Sequence, residues 1–250
     1  MKAKTADRLA TALFWLAALL IIGILGAMVG YVLFHGLGVI DWDFLTKPAQ
    51  NMREGGGIGP QLFNSFYLLL LSMALTIPIG LLAGIYLAEY ARGGPVTDII
   101  RLCIEALTSL PSIVVGLFGL LVFVNLTGWG YSLASGALAL TVINLPMMVR
   151  ITEDAIRSVP RELKEGSLAL GATRWQTVVK VLLPVAIPSL ITGIIITAGR
   201  VFGEAAALLY TAGISSPPLD FTNWNPFSPT SPLNPFRPAA TLAVHIWKVN

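Results

Sequence analysis

The sequence predicts an all-α integral membrane protein, and three observations carry that prediction. Hydrophobic residues make up 55% of its 250 positions and charged residues only 12%, against about 25% charged in an average soluble domain. The mean hydropathy is +0.77, too apolar for a surface that meets water on every side. Five stretches free of acidic and basic side chains, or nearly so, reach the roughly 20 residues needed to cross a hydrocarbon core of about 30 Å. A soluble enzyme, a disordered tail and a collagen-like chain are excluded by the same numbers. The net charge of +3 comes without a basic run, which excludes a nucleic-acid binder. The single cysteine, Cys103, cannot form an intrachain disulfide, and zinc-site spacings are absent.

The first expected span, 9–34, follows Lys2, Lys4 and Arg8. Its apolar stretch is too long for a signal peptide and lacks an A-x-A-like cleavage site, so it reads as an uncleaved anchor. The run Gly-Gly-Gly-Ile-Gly-Pro at 55–60 reads as a flexible turn; a phosphate-cradling loop needs a preceding strand and a Lys-Ser/Thr ending. The remaining spans are expected at 62–88, with a kink at Pro78, and at 102–126, 131–149 and 185–210. The pairs Gly26/Gly30, Gly80/Gly84 and Gly199/Gly203 are candidate seams for close helix approach. Segment 215–238, rich in Pro, Ser and Asn, is expected to be an irregular external loop; the apolar stretch 239–247 is too short to cross. With a cytoplasmic N-terminus (1–8), 11 of the 16 bases fall inside, four outside, and Arg200 within a span, in keeping with the positive-inside rule.

The internal loop 150–183 is polar enough to leave the membrane and patterned enough to fold. Pro160 suits the first turn of a helix through Glu162, Leu163, Glu165, Ala169 and Leu170, and Gly171 supplies a left-handed stop. Thr173 and Gln176 form a capping box for a second helix through Trp175, Val178, Val179 and Leu182, up to Pro184, the expected start of the fifth span. A helix lying on lipid would carry a lysine-rich polar face; Glu162 and Glu165 spoil it.

Arg200 and Glu204 fall inside the fifth span, where each charge costs roughly 2.5–3.5 kcal/mol. Their i,i+4 spacing places them on one stripe with Ser189, Gly193, Thr197 and Ala207. Two readings stand: an ion pair that locks helices together, or the lining of a route for a hydrophilic solute. Arg150, after Asn144 and Pro146, is an interfacial anchor or lines the same route from the inside. His35 and His245 are lone boundary residues rather than metal ligands. No Gly-x4-Gly-Lys-Ser/Thr occurs, so energy must come from a partner.

The spacing Glu165-x5-Gly171-x9-Val181-x-Leu183-Pro184 resembles the EAA loop of ABC-importer permeases, with Gly166 and Ser167 where the family has two alanines. That resemblance implies a type I (MetI-like) permease fold. Coupling helices built on Glu165, Gly166, Ser167, Ala169, Leu170, Gly171 and Ala172 would dock onto a cytoplasmic ATPase, which binds ATP and Mg; no cofactor is implied in this chain. Segments 108–118, 145–155, 169–175 and 199–204 further resemble the PstA-type permeases of bacterial phosphate importers. In that family Arg150, Arg200 and Glu204 occupy positions implicated in phosphate passage; Thr197, on the polar stripe read above, and Asn144, ahead of Arg150 in the fourth span, are counted with them. Ala205 and Ala207 depart from the family's G-E-T-A-P run. The resemblance also implies a PstC-type permease partner, two PstB-type ATPases, a periplasmic phosphate-binding protein and the bacterial inner membrane. It divides the chain into a permease core over 62–210 and a periplasmic loop over 211–250 that begins a sixth span expected beyond the chain. Permeases for sulfate or molybdate are the same-class alternative. A secondary carrier is the other, disfavoured by the EAA-like loop and by the absence of visible inverted repeats.

Overall fold

The computed structural model describes residues 2–48 and 56–249; Gly55, the first residue of the glycine run, lies outside the described residues. The chain divides into two units, 1–59 and 60–250. In the first, helix α1 (Lys2–Gly36) is one uninterrupted rod with Leu, Ile, Val and Phe exposed on all sides, as an anchor surrounded by lipid requires. Within its own unit nothing packs on Gly26 or Gly30. A short helix α2 (Trp42–Thr46) is capped by Asp41, whose carboxylate accepts from the Phe44 amide. The returning chain packs hard on it. A side chain on Gly57 or Gly59 would strike carbonyl oxygens of Phe44, Thr46 and Lys47, so these glycines serve close approach rather than flexibility.

The second unit contains α3 (Gly59–Tyr90), α4 (Pro95–Thr108), α5 (Ser112–Leu126), α6 (Leu133–Arg157), α7 (Arg161–Ala169), α8 (Arg174–Gly203), α9 (Ala206–Leu209) and α10 (Leu242–Val249). Among the described residues of the whole chain, four helices are long and apolar enough to cross a membrane, α1, α3, α6 and α8. The expected third span is instead the pair α4 and α5, bent by 98°. Pro111 explains the break: its ring disfavours helical backbone at Leu110, and it stands in extended conformation as the residue before α5. The fourth helix runs two turns past its expected end at 149, carrying Arg150, Glu153, Asp154 and Arg157 with it.

The core is organised around α6, the most buried of the long helices. A Cβ on Gly80 would lie 2.6 Å from the Met148 side chain, and one on Gly84 would overlap Thr152; the second glycine pair is therefore a true seam between α3 and α6. On another face, Gly193 of α8 lies against the Ile151 side chain. Gly116 and Gly119 of α5 admit Ala207 and Thr211 just as closely. The apolar cluster of Leu68, Leu133, Leu140, Ile143, Val201, Leu208 and Val244 closes around these contacts.

The 211–241 segment has no regular structure, yet it staples two helices. The first amides of α6 are buried and need acceptors: Leu133 donates to the Arg237 carbonyl (3.0 Å) and Ala134 to the Pro235 carbonyl (2.7 Å). The Arg237 side chain, 3% exposed, donates from Nη2 to Asn64 Oδ1 of α3 at 2.7 Å and from Nε to the Ser231 carbonyl at 3.2 Å.

Gly84→Val is expected to lower the thermal midpoint of the detergent-purified protein, at a cost of about 1–3 kcal/mol for overpacking, while Gly26→Val, in open space, leaves it unchanged. Equal midpoints for the two variants would remove the seam.

Candidate functional site

At the end of α8 the polar residues of the expected route are placed individually. Arg200 occupies the last helical turn, half-buried, with Nη1 3.8 Å from the Met147 sulfur of α6. The expected Arg200–Glu204 pair does not share a helix face. Helix α8 stops at Gly203, Glu204 is extended (φ −75°, ψ 124°), and its Oε1 turns forward to accept from the Ala207 amide at 3.2 Å. The carboxylate caps α9, and Arg200 has no carboxylate partner among the described residues. Gly199 and Gly203, beside it in sequence, border open space. Thr197, one turn earlier, is fully buried and donates to the Gly193 carbonyl at 2.9 Å. Asn144 is equally buried; its amide donates to the Leu140 carbonyl at 2.8 Å, and its Oδ1 has no partner. Each of these bonds returns to the residue's own helix, and neither residue is bonded to Arg200.

The other end of α6 carries an ion network that sequence reasoning did not assemble. Glu153, almost buried, accepts from Arg101 Nε of α4 (3.0 Å) and Arg157 Nη2 (2.9 Å). Arg150 pairs with Glu105 of α4 and approaches Asp154 at 3.9 Å. Arg150 is therefore engaged in holding α4, half-exposed, rather than standing free. The signal for this was the spacing Arg150, Glu153, Asp154, Arg157, a helical i,i+3/i+4 charge pattern that continues α6.

The elbow that follows is locally determined. Helix α7 ends in a Schellman arrangement: the Gly171 amide bonds the Leu168 carbonyl (3.0 Å), the Ala172 amide bonds the Ser167 carbonyl (3.3 Å), and Gly171 has φ +84°. Thr173 and Gln176 form the expected capping box, with bonds of 3.3 and 2.9 Å. The helix that starts there does not stop before Pro184 but runs on as α8, so elbow and span are one element. Pro160 lies just before α7, as its cap, rather than within it. Glu165, Gly166, Ala169 and Leu170 are exposed, Leu170 to 91%, and Ser167 and Ala172 are half-buried. Lys164 of α7 bonds Glu89 of α3 at 2.6 Å, another contact that sequence reasoning missed.

Residues 77–246 match the family model described as "binding-protein-dependent transport system inner membrane component". The chain is 61% identical over all 250 residues to a probable ABC transporter permease protein, YqgI, of Bacillus subtilis, and covers 85% of that protein. It is 38% identical over 177 residues to the phosphate transport system permease protein PstA of Xylella fastidiosa, covering 71% of this chain and 62% of that one. It is also 38% identical over 213 residues to a second B. subtilis permease, YqgH, covering 82% and 69%. Among solved structures, the MetNI methionine ABC transporter in an inward-facing conformation aligns with a TM-score of 0.55 at 26% identity, over 62% of this chain and 74% of the other.

Glu153→Ala, which leaves Arg101 with Asp98 and Arg157 without a carboxylate among the described residues, is expected to destabilise the purified protein by about 1–3 kcal/mol, and Glu105→Ala, at an exposed pair, by less than about 1 kcal/mol. Thermal unfolding followed by tryptophan fluorescence checks the order; a reversed order would dismiss Glu153 as the centre of the network.

Proposed function

Because this chain belongs to the binding-protein-dependent transport system inner membrane components, with the type I MetI-like fold, we propose that it is the permease subunit of an ATP-driven importer of inorganic phosphate, forming half of the route. The chain is a membrane permease component of an ABC transporter, and ATP hydrolysis is carried by separate ATPase subunits. The observation that carries the phosphate reading is Arg200: a half-buried guanidinium with no carboxylate beside it, at the end of a long helix and bordered by two bare glycines. Its planar fork of donors suits two phosphate oxygens at once. Relatives named as phosphate permeases support the substrate class. Glu204, whose second oxygen carries no bond to another residue among the described residues, lies near enough in sequence to accept a proton from a protonated oxyanion. Arg150 guards the far end of α6, and Thr197 with Asn144 sets the floor behind Arg200.

In this reading the N-terminus is cytoplasmic in a bacterial inner membrane, and the α7 elbow, through Glu165, Gly166, Ser167, Ala169, Leu170, Gly171 and Ala172, docks onto a PstB-type ATPase that holds ATP and Mg. A PstC-type permease completes the route, and a periplasmic phosphate-binding protein delivers the solute. The similarity of the chain to two different permeases of one organism favours such a pairing of related subunits. An importer of another solute is the second reading, because the aligned MetNI transporter is named for methionine.

Arg200→Ala is expected to reduce phosphate uptake by membrane vesicles roughly 100-fold, the loss of about 3 kcal/mol of charge-assisted bonding, with membrane insertion intact; Arg200→Lys keeps part of it. ATP hydrolysis by the purified complex should rise with phosphate-loaded and not with sulfate-loaded binding protein, and stimulation by the sulfate form alone would exclude phosphate. Glu165→Lys and Gly171→Trp should each reduce recovery of the ATPase in a pull-down, and undiminished recovery would move the docking face elsewhere.

A further inference from the structure

Helix α7 has no fully buried residue. Its hold on the rest of the chain rests on few groups. Among the described residues, two side-chain bonds join it to other helices: Lys164 Nζ to Glu89 Oε2 of α3 at 2.6 Å, and Ser167 Oγ to Thr177 Oγ1 of α8 at 3.0 Å. The second adds little, because Thr177 is already joined to α7 through the short elbow. The first reaches across 75 residues of sequence to a different helix. Glu89 lies in the π-helical last turn of α3 (Tyr86–Tyr90), and its side chain is only 9% exposed. Around the pair is a cleft of about 480 Å³ lined by the apolar Ile156, Val159 and Leu182 and by the charged Arg157, Arg161 and Glu165. The ion pair bridges a gap that side-chain packing leaves open.

We infer that Lys164 and Glu89 are positioning residues that fasten the coupling helix α7 to the end of α3, so that these two elements move as one body when the ATPase moves the elbow. The inference rests on the docking role proposed for α7 and adds where its displacement goes. Without the pair, α7 is held only by its chain connections, to α6 through 158–160 and to α8 through the elbow, and by the Ser167–Thr177 bond. With it, the same displacement also enters α3, whose Gly80 and Gly84 are seated on α6. Rigid-body transmission requires a contact that survives the motion, and here a partly exposed Lys164 reaches a nearly buried Glu89 carboxylate. Removing Lys164 takes away the one ion pair that Glu89 makes among the described residues.

The test uses the whole complex, with Cys103→Ser to free the chain of other thiols. Spin labels are attached at Glu162→Cys on α7 and Tyr86→Cys on α3, both exposed positions. In the otherwise unaltered chain, the label distance measured by pulsed electron resonance should agree within about 2 Å between nucleotide-free and ATP–vanadate-trapped states. Lys164→Met should broaden that distance and lower binding-protein-stimulated ATP hydrolysis about tenfold, with ATPase recovery in the pull-down retained. The exchange Glu89→Lys with Lys164→Glu should restore both. A shift of about 5 Å or more between states in the unaltered chain would overturn the inference, as would parental hydrolysis in Lys164→Met or a failed exchange. Loss of the ATPase from the pull-down of the unaltered chain would instead strike the docking role itself. A Lys164→Met chain too unstable to purify is replaced by Glu89→Gln, which keeps size and hydrogen bonding and removes only the charge; it must show the same broadening.

Discussion

Helix-to-helix distance at α6 governs the core. In lipid there is no hydrophobic force between apolar helices, so association relies on van der Waals contact at short range and on interhelical hydrogen bonds. Gly80 and Gly84 of α3, Gly193 of α8, and Gly116 and Gly119 of α5 each bring a bare backbone against a side chain or a backbone atom of a neighbour. The Thr side chains at 76, 141, 152 and 197 are fully or almost fully buried and return their hydroxyls to the carbonyl four residues earlier in their own helices. They therefore cost nothing in unsatisfied donors and keep the seams narrow. Because α3 and α8 are both seated on α6, a shift of either must slide along it or carry it.

The end of the bundle where α6 begins is closed by a charge with no countercharge among the described residues. Arg237 is nearly inaccessible, and its guanidinium donates to Asn64 and to the carbonyls of Ser231 and Pro232, with Nη1 unpaired. Burial lowers its pKa to about 10, still far above neutral pH, so the group stays charged. A desolvated cation resting on neutral dipoles is costly. What it secures is the joint between a segment without regular structure and the first turn of α3, next to the place where the same segment's carbonyls satisfy the first amides of α6. The irregular stretch thereby becomes part of the fold without forming a helix.

How far the sequence could be read follows the range of each interaction. Gly171 at φ +84° and the Thr173/Gln176 box are decided by residues three or four apart, and both were legible. The Gly80/Gly84 pair was a true seam, and Gly26/Gly30 and Gly199/Gly203 had the same spacing without one in this chain; spacing alone does not say what lies opposite. The break at Pro111 was written in the sequence, but a continuous apolar run concealed it. Glu204 was misplaced because hydropathy carried the span on to 210, whereas the backbone turns at Gly203 and the carboxylate finds the Ala207 amide. Glu153 with Arg101, and Lys164 with Glu89, join residues 52 and 75 positions apart, and no local pattern announces them.

Helix α8 connects the elbow to Arg200. From Arg174 to Gly203 it spans 30 residues, about 45 Å at 1.5 Å per residue, so the capping box and the guanidinium stand at opposite ends of one rod. Two prolines lie within it. Just before Pro184 the helix widens over Val178–Leu182, with the Leu183 amide reaching back five residues to the Val178 carbonyl; this register change takes up the donor that proline lacks. At Pro188 the carbonyl is bonded by the Thr192 hydroxyl. The widened turn therefore lies between the capping box and Gly193, where α8 is seated on Ile151. In the reading proposed above, a displacement entering at Thr173 passes the widened turn before it reaches Arg200, and the Lys164–Glu89 pair gives α7 a second hold, on the end of α3.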